Sequence, residues 1–317
     1  MAKYDWMASN SAPRGCPMEL VSGDFIFPNG GSLYIPYNLI HEGWGTEVSL
    51  QVVGDDTKSL PDRMTITLYS ILEDKFYRGT FALPHEQIST LFAEGYRSYL
   101  PQRDHDTFNA IVAGVAPGGA VAVWVSGIER QVEVFFGHAQ EVELDWHATL
   151  RMPPETDRKR YLDVNIAHAI NRDPLVKQMQ AAIPFGLWAA YRTRYAWQPA
   201  FEGLASPSVV SRVHYVNGER DYLELPLDEA ARKSRRPVPR LMEFANNENA
   251  YEIVFDEEEM LAVFPRLARG DAPLEVVISN SVRPGQTLVL VRNARETVQL
   301  ERAKLASFPA RKQPERR

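Results

Sequence analysis

Apolar residues alternate along the chain at Val121, Val123 and Val125, and again at Val132, Val134 and Phe136. That is the period of a half-buried strand. The stretch from Phe108 to Phe136 therefore predicts three strands joined by two tight turns. Pro117-Gly118-Gly119 makes the first reversal, because proline presets one turn angle and glycine supplies the positive one. Ser126-Gly127 makes the second. The same design returns between Leu274 and Leu300. There Val282-Arg283-Pro284-Gly285 aligns with Val115-Ala116-Pro117-Gly118, and Leu288 and Leu290 align with Val121 and Val123.

A helix precedes each hairpin. Leu83-Pro84-His85-Glu86 opens the first, with Ile88, Leu91, Phe92 and Tyr96 at helical spacing, so one face packs on a sheet. Asp256-Glu257-Glu258-Glu259 opens the second, carrying Met260, Val263, Phe264 and Leu267. Acidic residues suit that end of a helix because its dipole is positive there. Upstream of the first helix the pattern predicts strands at 18–21, 32–34, 48–53, 64–71 and 76–81. A further strand runs through Leu144. Upstream of the second helix it predicts a hairpin over 209–225, turning at Asn217-Gly218, and strands at 241–244 and 251–255. Tyr195-Ala196-Trp197 echoes Tyr4-Asp5-Trp6. Between the halves, 157–170, 175–183 and 185–191 read as helices cut apart by Pro174 and Pro184.

The fold class that follows is α+β: one β-rich unit used twice. Each copy is an antiparallel sheet, or two packed sheets, with one helix inserted before its last three strands. The boundaries are 1–150 for the first unit, 151–194 for a helical connector, 195–308 for the divergent second unit and 309–317 for a basic, frayed tail.

Composition narrows the class without naming a job. The chain has 317 residues, 44% of them hydrophobic and 24% charged, a globular profile. A net charge of −6 speaks against non-specific nucleic-acid binding. One cysteine allows no internal disulfide and no multi-cysteine zinc site. No apolar run reaches the roughly 18 residues of a membrane span. The start, MAKYDWMASN, carries no apolar leader core.

Candidate chemistry is sparse. No two of the seven histidines stand four apart as a helical zinc site requires. No Gly-x-Ser-x-Gly elbow occurs. Cys16, between Gly15 and Pro17, reads as a small buried hydrophobe. No enzyme activity and no cofactor are expected. Three features fit a protein interface instead. Trp44, Trp146 and Trp197 are natural aromatic anchors if exposed, but a tryptophan between two glycines, as Trp44 is, more often plugs a sheet end. The loop around Arg103, Asp104, His105 and Asp106 is the densest polar stretch; the triplet 104–106 could hold a divalent cation, but a solvated turn is its ordinary reading. Arg232, Lys233, Arg235 and Arg236 form a basic loop stiffened by Pro237 and Pro239, able to steer an acidic partner, though a solvated surface loop is the ordinary reading of such a charge run.

The N-terminal half also carries a family pattern: Tyr4-x-Trp6, Ser11-Ala12-Pro13-Arg14-Gly15, Pro17-Met18-Glu19, Gly30-Gly31-Ser32-Leu33-Tyr34-Ile35-Pro36, Gly43-Trp44-Gly45, Leu60-Pro61, and Val115 to Gly119 with Val123-Trp124. Over about residues 4 to 146 it resembles a bacterial domain-of-unknown-function family, number 2931, mostly proteobacterial lipoproteins. Members often accompany type VI secretion lipase effectors. The resemblance implies an immunity protein that binds a phospholipase or lipase toxin and covers its active site or lid. It implies a periplasmic location; read as complete, the chain would stay in the cytoplasm, since the lipoprotein signal is absent. Cys16 sits where the family has an aromatic and is not its acylated cysteine. The rival expectation is a periplasmic module binding an envelope glycan or lipid in a cleft between the units.

Overall fold

The computed structural model describes residues 2–49, 55–100, 103–204, 210–246, 249–269, 272–283 and 286–309. It is a mixed α+β structure, rich in strands and built from several sheets. Contacts divide it into two compact units, Met1–Ala190 and Tyr191–Arg317.

The first unit begins with β1 (Met7–Ser11), β2 (Met18–Ile26), β3 (Ser32–Tyr34), β4 (Leu39–Ile40), β5 (Arg63–Ser70) and β6 (Lys75–Ala82). Helix α1 (His85–Glu94) follows, then the short pair β7 (Tyr96–Arg97) and β8 (His105–Asp106). The unit continues through β9 (Ala110–Ala116), β10 (Ala120–Ser126), β11 (Gln131–His138) and β12 (Gln140–Val142). It closes with α2 (Trp146–Leu150), α3 (Arg158–Arg172), α4 (Leu175–Ala181) and α5 (Leu187–Ala190). The helical segment thus groups by contact with the first unit.

The expected triple strand is β9-β10-β11, paired antiparallel. Its first turn uses positive φ at both Gly118 and Gly119 (73° each). A fourth strand joins it: β1 lies parallel to β9, Met7 against Ala110 through Ser11 against Gly114. The sheet is therefore not purely antiparallel. The pattern hid β1 because Ser9, Asn10 and Ser11 are fully buried polar residues, so no alternation marks the strand. The second sheet runs β12-β6-β5-β2-β3, with β4 on β2. The strand expected over 48–53 lies mostly outside the described residues.

Ala8, Ile111, Val115, Val121 and Val123 of the first sheet meet Leu20, Phe25, Met64 and Ile66 of the second. Ile88 and Phe92 of α1 join the same core, each contributing about 1.5–3 kcal/mol by leaving water. The far face of the second sheet is covered too. Tyr69, Ile71 and Phe76 pack under Trp146 and Leu150 of α2 and against Tyr161, Leu162 and Ile166 of α3. Asp157 caps α3, accepting from the Arg160 N–H.

The second unit comprises β13 (Tyr195–Glu202), β14 (Val210–Tyr215), β15 (Arg220–Glu224), α6 (Glu229–Lys233), β16 (Arg235–Arg236), β17 (Pro239–Ala245) and β18 (Asn249–Val254). Then come α7 (Glu257–Leu267), β19 (Leu274–Arg283), β20 (Gln286–Arg292), β21 (Thr297–Gln299) and β22 (Lys304–Pro309). One set of strands pairs as β16-β13-β19-β20-β21, with β13 parallel to β19. The other pairs as β15-β14-β17-β18-β22. Met260, Val263, Phe264 and Leu267 are all buried on α7, as their spacing requires. Trp197 meets Phe264 edge-on at 6.3 Å.

Two expectations change here. The basic stretch 232–236 is not a loop: it ends α6 and then forms β16. Asp228 caps α6 through the Ala231 N–H, and Lys233 pairs with Glu229 one turn back. Pro309, assigned to the tail, belongs to β22, opposite Asn249. Residues 310–317 and the turn at 284–285 lie outside the described residues.

Candidate functional site

The nominated interface residues fall into three places, and packing claims part of each. Trp44 is 4% exposed. Its ring stands edge-on to Trp124 at 5.0 Å, in space left open by Gly114, where a Cβ would sit 2.4 Å from the Trp124 ring. Trp146 and Trp197 are buried as well. All three rings serve as plugs, not exposed anchors.

The family motifs around Trp44 build a seam that pins the chain over 36–48. Asn10 Nδ2 donates to the Pro36 carbonyl at 2.6 Å and to Asn38 Oδ1 at 2.5 Å. Ser11 Oγ donates to the Gly43 carbonyl at 2.8 Å, and Gln131 Nε2 to the Gly45 carbonyl at 2.7 Å. The Ser126 hydroxyl bonds the Glu47 carboxylate. Buried polar groups held in this way fix one conformation, because losing a partner strands the other in a dry interior.

Arg103 to Asp106 folds back on the end of α1. His105 Nε2 donates to the Glu94 carbonyl at 2.7 Å, satisfying a helix-end acceptor. Arg103 pairs with Asp106 at 3.0 Å, and the same carboxylate accepts from the Thr107 N–H. The Asp104 side chain has no partner among the described residues. Gly95 is needed at this junction: its φ is 62°, and a Cβ would meet the Asp106 carbonyl at 2.4 Å. No group of three or more His, Cys, Asp or Glu among the described residues is placed to hold a metal ion.

In the basic stretch, Arg236 is 9% exposed. Its guanidinium donates to the carbonyls of Ala231 (2.6 Å), Ser234 and Trp197 (3.1 Å each). Arg235 donates to the Arg194 carbonyl at 2.8 Å. Both hold α6 and β16 to β13. Arg232 and Lys233 remain on the surface.

Two polar clusters in the first unit were not foreseen. Tyr161 of α3 donates to Glu19 at 2.8 Å. Burial raises the Glu19 carboxyl above its ordinary range, more than this hydrogen bond lowers it. Arg14 forms a two-pronged pair with Asp173, the second prong at 3.1 Å. Burial pushes the Asp173 carboxyl up, but Arg14 and the Leu175 N–H outweigh it and hold the group below its usual value. Both clusters lock helices to the motif strands.

One open groove lies on the second unit. The outer face of β15-β14-β17-β18-β22 carries a groove of about 290 Å³. Register places Tyr222, Arg212, Glu243 and Glu252 in one cross-strand row. Arg212 lies over the Tyr222 ring at 5.6 Å and pairs with Glu243 at 3.0 Å. Ala245, Ala250 and Phe308 form the next row. Phe308 is 55% exposed. No sequence motif marked this place. Only the alternation of Ala250, Glu252 and Val254 hinted at a solvent-facing side.

No curated protein and no solved structure matches the chain. One family profile does: "Protein of unknown function (DUF2931)" matches residues 1–186. That span covers more than half of the chain and carries the buried seam and both helix-locking clusters, and the protein belongs to the DUF2931 family.

Proposed function

We propose that the protein works by binding another protein, and that it is an immunity protein holding a secreted type VI phospholipase or lipase toxin inactive at its active site or lid. The observation that carries the binding reading is the groove on the second unit. It sets an exposed phenylalanine beside an arginine–tyrosine pair, the residue types that dominate protein interfaces. The toxin class rests on the family context given by the N-terminal motifs. Co-purification with a type VI phospholipase or lipase toxin, followed by a lipase assay, tests it. Stoichiometric loss of lipase activity is expected; full activity in the presence of excess protein overturns it.

We also infer that the two units are divergent copies of one. Support comes from pairing order. In the first unit β3-β2-β5-β6-β12 makes one sheet, with α1 after β6 and β1 parallel to β9. In the second, β15-β14-β17-β18-β22 pairs in the same sequence, with α7 after β18 and β13 parallel to β19. On this reading the helices over 151–190 are an insertion between copies. Alignment of residues 195–308 with the family's own members, unit against unit, tests it. Absence of any shared pattern beyond the hairpin and helix sinks it.

A further inference from the structure

The groove on the second unit has an unbalanced charge. Glu243 and Glu252 stand directly opposite each other on β17 and β18. Like charges in that relation are destabilising unless a cation compensates. Arg212 compensates Glu243. Glu252 has no side-chain partner among the described residues. Lys304 lies further along β22 on the same face and makes no ion pair with it. The groove lining therefore holds two carboxylates and one guanidinium.

The apolar side is equally open. Ala245 and Ala250, next to Phe308 in its row, are too small to cover the ring. An exposed aromatic face beside an unpaired carboxylate fits one kind of side chain. A guanidinium or ammonium gains the charge of the carboxylate and the negative face of the ring together. We propose that this groove receives an arginine or lysine side chain of the partner protein, seated between Glu252 and Phe308. The proposal rests on the protein-binding reading above and names the chemistry that the partner must present there. Electrostatic complementarity selects the partner, and the ring supplies the desolvated contact.

The test uses the full chain with E252Q, E252R and F308A, each first shown to melt like wild type. Affinity for a type VI phospholipase or lipase toxin is measured by calorimetry. A loss of about tenfold or more in E252R, a smaller loss in E252Q and a loss in F308A are expected. If wild type binds and inhibits but E252R and F308A do so equally well, the groove assignment fails and the proposed function stands. If wild type does not bind the lipase, the proposed function fails, and N-acetyl-arginine amide becomes the probe. NMR shifts at Glu252 and Phe308 that vanish in E252Q then support a cation site, and their absence overturns it. One further outcome also overturns it. If deleting residues 310–317 strengthens arginine-amide binding while E252R leaves partner affinity unchanged, the groove belongs to the chain's own basic end.

Discussion

Two carboxylates in the first unit respond to their surroundings in opposite directions, and pH separates them. The Glu19 carboxyl is raised by burial against α3. The native state then holds a proton that the unfolded chain releases near pH 4.3, so this group's contribution falls as pH rises above that value. Asp173 is held down by Arg14 despite its burial. Its contribution is present above about pH 3.9 and is lost as pH falls through its lower native value. Urea titrations from pH 3 to pH 8 should therefore show E19Q gaining on wild type between pH 4 and pH 7. D173N should lose most at neutral pH and recover relative to wild type in acid. A flat difference for either variant contradicts its assignment. Cys16 makes a second residue-scale prediction. Burial, with Glu73 nearby, pushes its thiol up to about 12. Native protein should resist a thiol reagent, and labelling should proceed only as fast as the first unit opens. The sequence foretold that buried cysteine correctly. Of the two readings open to Trp44, exposed anchor or sheet-end plug, the structure takes the plug, which its flanking glycines favoured.

Elements with one clear apolar period or sharp turn residues at their ends were legible; those hidden by composition were not. Helix α7 and the β9-β10-β11 triple strand show their periods openly, and the structure places their apolar residues inward. β1 was missed because its polar residues are buried. β13 was missed because Pro199 lies within it. A strand tolerates proline where its N–H would face no neighbour, and β16 pairs only with Tyr195 and Ala196. Stretch 232–236 was misread because four cations in five residues resemble a solvated loop, whereas the Asp228 cap makes Arg232 and Lys233 the end of a helix and Arg235 and Arg236 form β16. Two substitutions test these elements. Gly114→Ala would drive a methyl into the Trp124 ring and should cost about 1–3 kcal/mol by overpacking, visible as a lower melting temperature. Asp256→Ala removes the cap that accepts from the Glu259 N–H at 2.9 Å and one partner of Arg302. It should cost about 1 kcal/mol in chemical denaturation.

At the scale of the molecule, the family match ends at residue 186 and the first compact unit at residue 190. The candidate interface was not legible at this scale. Nothing in the spacing of Arg212, Tyr222, Glu252 and Phe308 announces a common place; only strand register brings them side by side. The parallel strands carry a consequence for how the protein is made. β1 leaves the ribosome early, yet its partner β9 begins a hundred residues later. Until that partner emerges, the opening strand waits with one edge unfilled, its serines and asparagine still in water. Such distant pairing is slow to close. A helper that shields nascent segments should therefore matter most during synthesis of the first third of the chain.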